Sequence, residues 1–365
     1  MNNLRTDIES LKQYSFEMGP IRPPSEGGNR SLLIRATRNC PWNRCGFCNT
    51  YGKKKFSIRR FEEIQKDIDS AKELAHRIKE IIVKVGDVNL AARLIENLYD
   101  RPLSEDELKN WISIVNVFGW LHNGSRTIFL QDADSLVNPD LLKVVKYLQE
   151  KFPSLGRITS YARSKTLSLK DPGVLKELRE AGLSRLHVGL ESGDDEVLKF
   201  AHKGVTSREH IIGGVKAKKA GFELSEYVMP GLGGKKWKQH AINTAKTLNE
   251  INPDFIRLRP FIPLVGTPLF EEHESGRFHL TSPHERLREI GLMIEHLNVK
   301  SRLCFDHSIM NSWYGDKGIP LFKLDYSGYK LPEEKETVLK LIERGLALDE
   351  SVHIHAGELT RLQHL

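Results

Sequence analysis

The chain has 365 residues, of which 39% are hydrophobic and 28% charged, and its formal net charge is +7. No apolar run approaches the roughly 20 residues needed to cross a bilayer, so no membrane span is expected. The N-terminus lacks a basic segment followed by an apolar core, which predicts a cytoplasmic protein without a signal peptide. The mild basic excess is spread over the chain, which makes nucleic acid a possible but not a favoured partner.

Short apolar segments alternate with amphipathic ones along most of the chain, a pattern typical of a parallel sheet covered by helices. The predicted strands are 31–36, 127–131, 157–161, 185–190, 223–229 and 255–259. Helical spacing of apolar residues predicts helices at 61–81, 139–151, 175–182, 208–221, 238–252, 283–298 and near 333–347. Because crossovers between parallel strands take one hand, these units predict an α/β fold, a (β/α)6 partial TIM barrel.

The predicted barrel covers residues 31–269 and has extensions on both sides. Residues 1–30 form an N-terminal extension, and residues 270–365 form a C-terminal extension that is helical and irregular. Residues 83–124 contain two or three helical segments where a short connection would suffice, so a helical insertion is predicted there. This insertion is expected to be either a cover over the substrate or a part of the scaffold.

Three of the four cysteines, Cys40, Cys45 and Cys48, lie within nine residues directly after the first predicted strand. Such a cluster indicates metal ligation in a reducing compartment more than disulfide bridging. Three thiolates can fill three corners of a [4Fe-4S] cubane and leave one iron without a protein ligand. A closed zinc site or a ferredoxin-type carrier would need a fourth ligand, and the nearest histidine, His76, lies on a predicted helix. The open cluster is the preferred interpretation, and the other two remain alternatives.

Cys40, Cys45 and Cys48, with the aromatic Phe47 before the last of them, resemble the signature of the radical S-adenosylmethionine (SAM) superfamily. The resemblance extends over 31–269 and is strongest to the subgroup of oxygen-independent coproporphyrinogen oxidase and the Elongator-type proteins. The C-x4-C-x2-C spacing is one residue longer than the commonest form, which enlarges the loop without removing a ligand. The resemblance implies that the three cysteines hold a [4Fe-4S] cluster and that the chain binds SAM.

The resemblance also implies SAM contacts in the first half of the barrel. Phe47 is expected to pack near the adenine of SAM, to shield the cluster, or both. After the second strand, Asp132 and Asp134 stand where the family usually has a glycine-rich segment that receives the SAM amino group. These carboxylates are expected either to accept a hydrogen bond from that ammonium or to cap the following helix.

Further candidates for SAM binding lie at the ends of later strands. Ser160 and Tyr161 end the third strand, where polar side chains reach a cofactor or simply face the surface. Glu191 ends the fourth strand and is the strongest candidate outside the cysteines, because a buried carboxylate without a role would be costly. Ser192 beside it is secondary. Gly231, after the fifth strand, allows either a close approach to a ligand or a tight turn.

Three residues further along the chain are candidates for substrate chemistry. Arg257 and Arg259 alternate on one face of the sixth strand, so both point inward to an anionic substrate or both outward to helices. Cys304 is a weak candidate for a catalytic hydrogen-atom donor or a ligand of a second metal. The alternative for Cys304 is a semi-buried cysteine without a function.

The resemblance implies an enzyme that takes an electron from reduced flavodoxin or ferredoxin, cleaves SAM and generates a 5'-deoxyadenosyl radical that abstracts hydrogen from a substrate. The substrate is unidentified. A small-molecule or lipid-like substrate is preferred because no compact basic and aromatic domain is evident after Leu269. A radical SAM enzyme that modifies tRNA or another RNA is the alternative. A metal-stabilised nucleic-acid-binding protein or an electron-transfer protein is the alternative from another class.

Overall fold

The computed structural model describes residues 2–27, 29–52, 54–99 and 101–361. The strands are β1 (Ser31–Arg35), β2 (Thr37–Arg38), β3 (Ser57–Ile58), β4 (Thr127–Gln131), β5 (Arg157–Ala162), β6 (Leu183–Glu191), β7 (Glu223–Val228), β8 (Phe255–Leu258), β9 (Arg302–Cys304) and β10 (Tyr329–Lys330). The helices are α1 (Asn2–Ser10), α2 (Phe61–Val85), α3 (Val88–Glu96), α4 (Glu105–His122), α5 (Leu141–Lys151), α6 (Ser164–Leu169), α7 (Pro172–Glu180), α8 (Asp195–Phe200), α9 (Ser207–Lys219), α10 (Trp237–Ile251), α11 (Pro268–Glu274), α12 (Pro283–His296) and α13 (Lys335–Ala347). Within these ranges no helix has the length and apolar character of a membrane span.

The six predicted strands are all present, as β1, β4, β5, β6, β7 and β8, with ends within two residues of those expected. Each of the six is followed by a helix along the chain. The α/β class and the β/α alternation of a (β/α)6 partial barrel are therefore confirmed. The strands read well from the sequence because each carries apolar residues and is bounded by polar or glycine-containing connections.

The chain divides into two compact units. The first unit consists of residues 1–38, 57–160 and 177–184. In it, β4 pairs in parallel with β1 on one side and with β5 on the other. Leu32, Ile34, Ile128 and Leu130 of these strands are fully buried. Helix α2 presents a buried stripe at helical spacing, which consists of Ile64, Ile68, Ala71, Ala75 and Ile78.

The second unit consists of residues 39–56, 161–176 and 185–365. Its strands β6, β7, β8 and β9 pair in parallel in that order, and β10 pairs antiparallel with β9. Residues paired in neighbouring strands project on the same side of a sheet. The register places Gly189, Tyr227, Arg257 and Cys304 on one side, called here the polar face. Val188, Glu226, Ile256 and Leu303 lie on the opposite side, called the apolar face.

The segment expected to be irregular after the sixth strand contains β9 and β10, which the sequence did not predict. Strand β9 has three residues and β10 has two, too few to show the alternation that identifies a strand. Strand β9 pairs with β8 and brings Cys304 next to Arg257.

The segment predicted as a helical insertion contains the end of α2, α3 and α4. In α4, Asn116 accepts a hydrogen bond from the Leu33 N–H (3.0 Å) and donates to the Ser31 carbonyl (3.1 Å). The side chain of Asn116 thereby binds the backbone of β1. These contacts support the scaffold alternative for α4, because they hold it against a strand of its own unit.

Candidate active site

The cysteine loop is held by backbone contacts on both sides. Asn39 and Asn43 have positive φ angles of 66° and 55°, a conformation in which Asn is tolerated better than most residues. Their side-chain amides donate to the carbonyls of Lys55 and Lys54, each at 2.7 Å. These bonds give the enlarged loop a defined shape before any ligand is bound.

The residue Trp42, inside the enlarged loop, docks on the segment after α8. Its indole Nε1 donates to the His202 carbonyl at 2.6 Å, and the Gly46 N–H donates to the Ala201 carbonyl at 2.9 Å. Gly204 has φ +68°, and a Cβ there would overlap the indole ring. A residue without a side chain is therefore needed at this position both for conformation and for space.

The three thiols of the loop are free and partly exposed. Burial raises the pKa of Cys45 to about 11, the nearby Lys203 ammonium opposes this rise, and the two other cysteines add to it. The thiols are therefore within electrostatic range of one another. The Asn43 N–H lies 3.5 Å from Cys40 Sγ, as a hydrogen bond to a ligand sulfur would require.

The donor set fits a cubane better than a single ion. Among the described residues, no group of three His, Cys, Asp or Glu side chains has the arrangement of a site for one metal ion. A [4Fe-4S] cluster binds each thiolate to a different iron, so its ligands do not converge on one point. Three free, mutually interacting thiols on a pre-shaped loop are compatible with such a cluster.

A buried ion pair lies beside the loop. Lys203 Nζ donates to Glu191 Oε1 at 2.9 Å, and each side chain is 11% exposed. Although burial disfavours the ammonium, the Glu191 carboxylate raises the pKa of Lys203 and keeps it charged. Glu191 follows a bulge at the end of β6 and has φ 62°. A Cβ on Gly189 would overlap this carboxylate, so the pair lies over the polar face.

Phe47 and Tyr161, two predicted cofactor contacts, lie in the same unit as the ion pair. The Phe47 ring faces Lys203, with Nζ 5.7 Å from the ring centre. Phe47 also packs against a buried apolar cluster that includes Leu232 and Phe261. The Tyr161 ring contacts Tyr227, with the ring centres 6.5 Å apart. The structure places Phe47 against Lys203 and Tyr161 against Tyr227, and the SAM contacts of both residues stay a prediction.

Ser192 and Gly231 have local roles in the structure. Ser192 Oγ accepts a hydrogen bond from the Asp194 N–H at 2.9 Å. Gly231 has φ +89°, and its N–H donates to Glu289 Oε2 at 2.8 Å. A Cβ on Gly231 would lie 2.8 Å from Arg286 Nε. The close approach that this glycine permits is therefore to side chains of the chain itself, which supports the turn alternative.

Asp132, Asp134 and Ser160 lie in the first unit. Asp132 is fully buried, and its Oδ2 accepts hydrogen bonds from Arg35 Nε (2.8 Å) and Nη2 (2.6 Å). Asp134 is fully buried. Ser160 Oγ donates to the Leu130 carbonyl at 3.3 Å. Arg35 occupies one oxygen of Asp132, an ion pair that the sequence analysis did not anticipate. SAM binding by these three residues stays a prediction.

Arg257 and Arg259 both lie on the polar face and share one carboxylate. Asp306 accepts a hydrogen bond from Arg257 with one oxygen and from Arg259 Nη1 with the other, the latter at 2.8 Å. The sequence left two orientations open for these arginines. The one in which both face away from the polar face and pair with helices is wrong. The partner comes from the loop after β9.

Cys304 is fully buried on β9, in register with Arg257. Its Sγ lies 3.6 Å from the Tyr326 carbonyl, and burial raises the pKa of the thiol to about 12. The group is a neutral thiol near neutral pH, so it is a poor metal ligand as it stands. A role as a hydrogen-atom donor stays a prediction.

Sequence reasoning missed Lys203, His187, Tyr227 and Asp306. His187 Nδ1 and the Tyr227 hydroxyl are 3.1 Å apart, and their rings stack with centres 6.0 Å apart. The alternation of β6 and β7 could have placed both on the face of Gly189. No sequence pattern marked Lys203 as a site residue. Its contact with Glu191 depends on the way the short helix α8 turns the chain back.

Comparison with known proteins identifies related chains. The model of the Radical SAM superfamily matches residues 99–244. The tRNA uridine(34) acetyltransferase of Methanocaldococcus infernus is 24% identical over 106 residues, 28% of this chain and 20% of that protein. Elongator complex protein 3 of Mus musculus is 23% identical over 154 residues, 42% of this chain and 28% of that protein. The chain thus spans less than a third of the length of either relative.

A solved structure gives a weaker likeness. The chain aligns with coproporphyrinogen III oxidase from Escherichia coli at 17% identity and a TM-score of 0.41. The alignment covers 78% of this chain and 56% of that chain.

Proposed function

We propose that this chain is an enzyme of the radical SAM superfamily, whose model matches residues 99–244, and that Cys40, Cys45 and Cys48 hold its [4Fe-4S] cluster. When bound, the cluster would pass one electron from a reduced donor to SAM, whose cleavage gives methionine and a 5'-deoxyadenosyl radical. The observation that carries the proposal is the buried Lys203–Glu191 pair beside Cys45. The pair offers one cation and one anion to a cofactor that carries both kinds of group.

The two members of the pair bind different parts of SAM. The Lys203 ammonium has three donors, one of which Glu191 Oε1 occupies. Its remaining donors suit the carboxylate of the methionyl group. Glu191 keeps acceptor capacity for hydroxyl donors such as those of the ribose. The Phe47 ring, whose centre is 5.7 Å from Nζ, offers an apolar surface beside this pair for the adenine of SAM.

The substrate that we propose is a small molecule with a C–H bond held near the polar face of the second unit. His187 and Tyr227, which are buried on this face and linked by a 3.1 Å contact, provide a preorganised polar surface. Reduced flavodoxin or ferredoxin is the proposed electron donor.

Modification of tRNA is the second candidate function. The match to a tRNA uridine(34) acetyltransferase over 106 residues favours it. This match covers 20% of that protein, so the parts of the relative outside the match contribute nothing to the argument. Product analysis with total tRNA and with small-molecule extracts would separate the two candidates.

The proposal is tested by anaerobic reconstitution with iron and sulfide, followed by addition of SAM and dithionite. We expect a reducible [4Fe-4S] spectrum and formation of 5'-deoxyadenosine, detected by mass spectrometry. Cys45→Ala is expected to lower both at least tenfold, because the cluster loses one of three ligands. Cys304→Ala, which removes a thiol outside the loop, is expected to keep the cluster spectrum.

Two results would contradict the proposal. A fully loaded cluster that yields no 5'-deoxyadenosine would exclude SAM cleavage by this chain. An unchanged cluster spectrum in Cys45→Ala would exclude the loop as the cluster site.

A further inference from the structure

Arg259, a buried arginine on the polar face, has a donor that the chain does not use. Arg259 follows β8 directly and is 8% exposed. Its Nη1 donates to Asp306 Oδ1 (2.8 Å) and to the Leu258 carbonyl (2.9 Å). Its Nη2 is buried and has no hydrogen-bond partner among the described residues. Leaving such a buried donor without an acceptor is unfavourable, so an acceptor from outside the chain is expected.

The neighbouring arginine shows what a purely structural guanidinium looks like here. Arg257 donates Nε to Ser225 Oγ (3.0 Å), Nη1 to Asp306 and Nη2 to the Tyr326 carbonyl (3.5 Å). All three of its nitrogens have partners within the chain. Arg257 and Arg259 share the single carboxylate of Asp306, so this group of three carries one uncompensated positive charge. A water molecule could accept the free hydrogen bond but could not neutralise that charge.

Among the described residues, two further neighbours of Arg259 are uncharged. Its guanidinium carbon lies 4.9 Å from the centre of the Tyr227 ring, a cation–π contact. Burial and the positive charge of Arg259 hold the pKa of His307 at about 4, so this imidazole is neutral near pH 7. The remaining acceptor of Arg259 must therefore come with a ligand.

We propose that Arg259 anchors an oxyanion group, a carboxylate or a phosphate, of the substrate. A guanidinium presents its donors as a planar fork that matches both groups. Arg259 also lies at the carboxyl end of its strand, where parallel α/β folds place their ligands. The inference rests on the proposed function, because it assigns the site to the substrate on which the radical from SAM cleavage acts.

The register fixes the distance between this anchor and the proposed SAM site. Gly189 lies under the Lys203–Glu191 pair and is in register with Tyr227, which is in register with Arg257 on the next strand. Two strand spacings of about 4.8 Å separate Gly189 from the strand of Arg259, a distance of about 10 Å. The anchor and the Lys203–Glu191 pair therefore lie on the same face of the sheet, two strands apart, and a substrate held by Arg259 would lie on the face that carries the proposed SAM site.

The test measures binding of inorganic phosphate and of acetate to the reconstituted protein by isothermal titration calorimetry. We expect one-to-one binding of at least one probe, weakened at least tenfold in Arg259→Gln. Arg259→Lys keeps the charge and is expected to weaken binding less. Arg277→Gln removes an exposed arginine paired with Glu272 and is expected to leave binding unchanged. The preferred probe identifies the oxyanion as a phosphate or a carboxylate.

The same proteins are assayed for 5'-deoxyadenosine without substrate, so that the two proposals fail separately. Absence of probe binding to the unmodified protein would overturn the anchor, as would equal binding by Arg259→Gln. Normal formation of 5'-deoxyadenosine alongside either result would leave the proposed function intact. Probe binding without 5'-deoxyadenosine from the unmodified protein would instead overturn the proposed function and, with it, the assignment of the anion to a radical SAM substrate.

Discussion

Two arginines, one in each unit of the chain, have different surroundings. In the first unit, Arg35 is shared by Asp132 and Glu17, with contacts of 2.6 and 2.8 Å. In the second unit, Arg259 pairs with Asp306 but keeps one buried donor without a partner among the described residues. The Arg35 group therefore acts as scaffold, whereas Arg259 retains capacity for a ligand.

This comparison changes how well Asp132 and Glu191 are supported as candidate contacts of SAM. The sequence predicted both Asp132 and Glu191 as SAM contacts, with Glu191 the stronger candidate, because each is an acid after an apolar strand. Asp132 is fully buried under a bidentate contact from Arg35. Glu191 pairs through one oxygen with Lys203 beside the cysteine loop. We therefore expect substitution of Asp132 to lower stability without a loss of SAM binding, whereas the Lys203–Glu191 pair contributes to both.

The largest change in the free energy of unfolding is expected from breaking the Lys203–Glu191 ion pair in the second unit. Lys203→Met leaves the Glu191 carboxylate buried without its cation, which we expect to lower the free energy of unfolding by about 3–5 kcal/mol. Lys203→Met combined with Glu191→Gln removes both charges and is expected to recover most of this loss. Urea unfolding of the cluster-free chain measures both. A double variant no more stable than Lys203→Met would show that the pair is not coupled.

An intermediate change in the free energy of unfolding is expected from weakening the contact between Asp132 and Arg35 in the first unit. Asp132→Asn removes one of two carboxylates on Arg35, so the free energy of unfolding is expected to fall by about 1–3 kcal/mol. Binding of SAM, measured by calorimetry, is expected to change less than twofold. Asp67→Asn, which weakens the pair with Arg59 in the same unit, is the matched control. If SAM binding fell tenfold in Asp132→Asn alone, Asp132 would be a ligand as the family resemblance implied.

The smallest effect is a gain in stability. Burial raises the pKa of Glu226 well above its usual value of 4.5, and Glu191 raises it further. The folded chain thus keeps a proton that the unfolded chain loses, so stability falls as pH rises above 4.5. Glu226→Gln is expected to add about 1 kcal/mol at pH 8 and nothing at pH 4.

Urea midpoints at the two pH values measure this effect. Glu250→Gln, at an exposed position on α10, is the control and is expected to change neither midpoint. Equal midpoints for Glu226→Gln and the unmodified chain at pH 8 would show that Glu226 is ionised without cost.

The strands and the cysteine loop could be predicted from the sequence because their signals are local. Strand β6, for example, is an apolar run whose last residue is Glu191, so the strand and the site residue can be found together in the sequence. The site residues that were missed depend on distant contacts. Asp306 meets Arg259 across 47 positions, through a strand of three residues that shows no periodicity.

Other contacts of the predicted site residues come from pairing that a sequence does not display. Asp132 follows β4 as a ligand would, and only the fold reveals Arg35 on the neighbouring strand, 97 positions earlier. Gly231 belongs to a glycine-rich turn that suits either a ligand or a protein contact. Its 2.8 Å hydrogen bond to Glu289, on α12, settles what its N–H contacts.

The packing of Trp42 against Gly204 has a consequence for which residues these two positions accept. The indole occupies the space that any side chain at Gly204 would need. A side chain at position 204 is therefore compatible with this arrangement of the cysteine loop only where residue 42 is smaller than tryptophan.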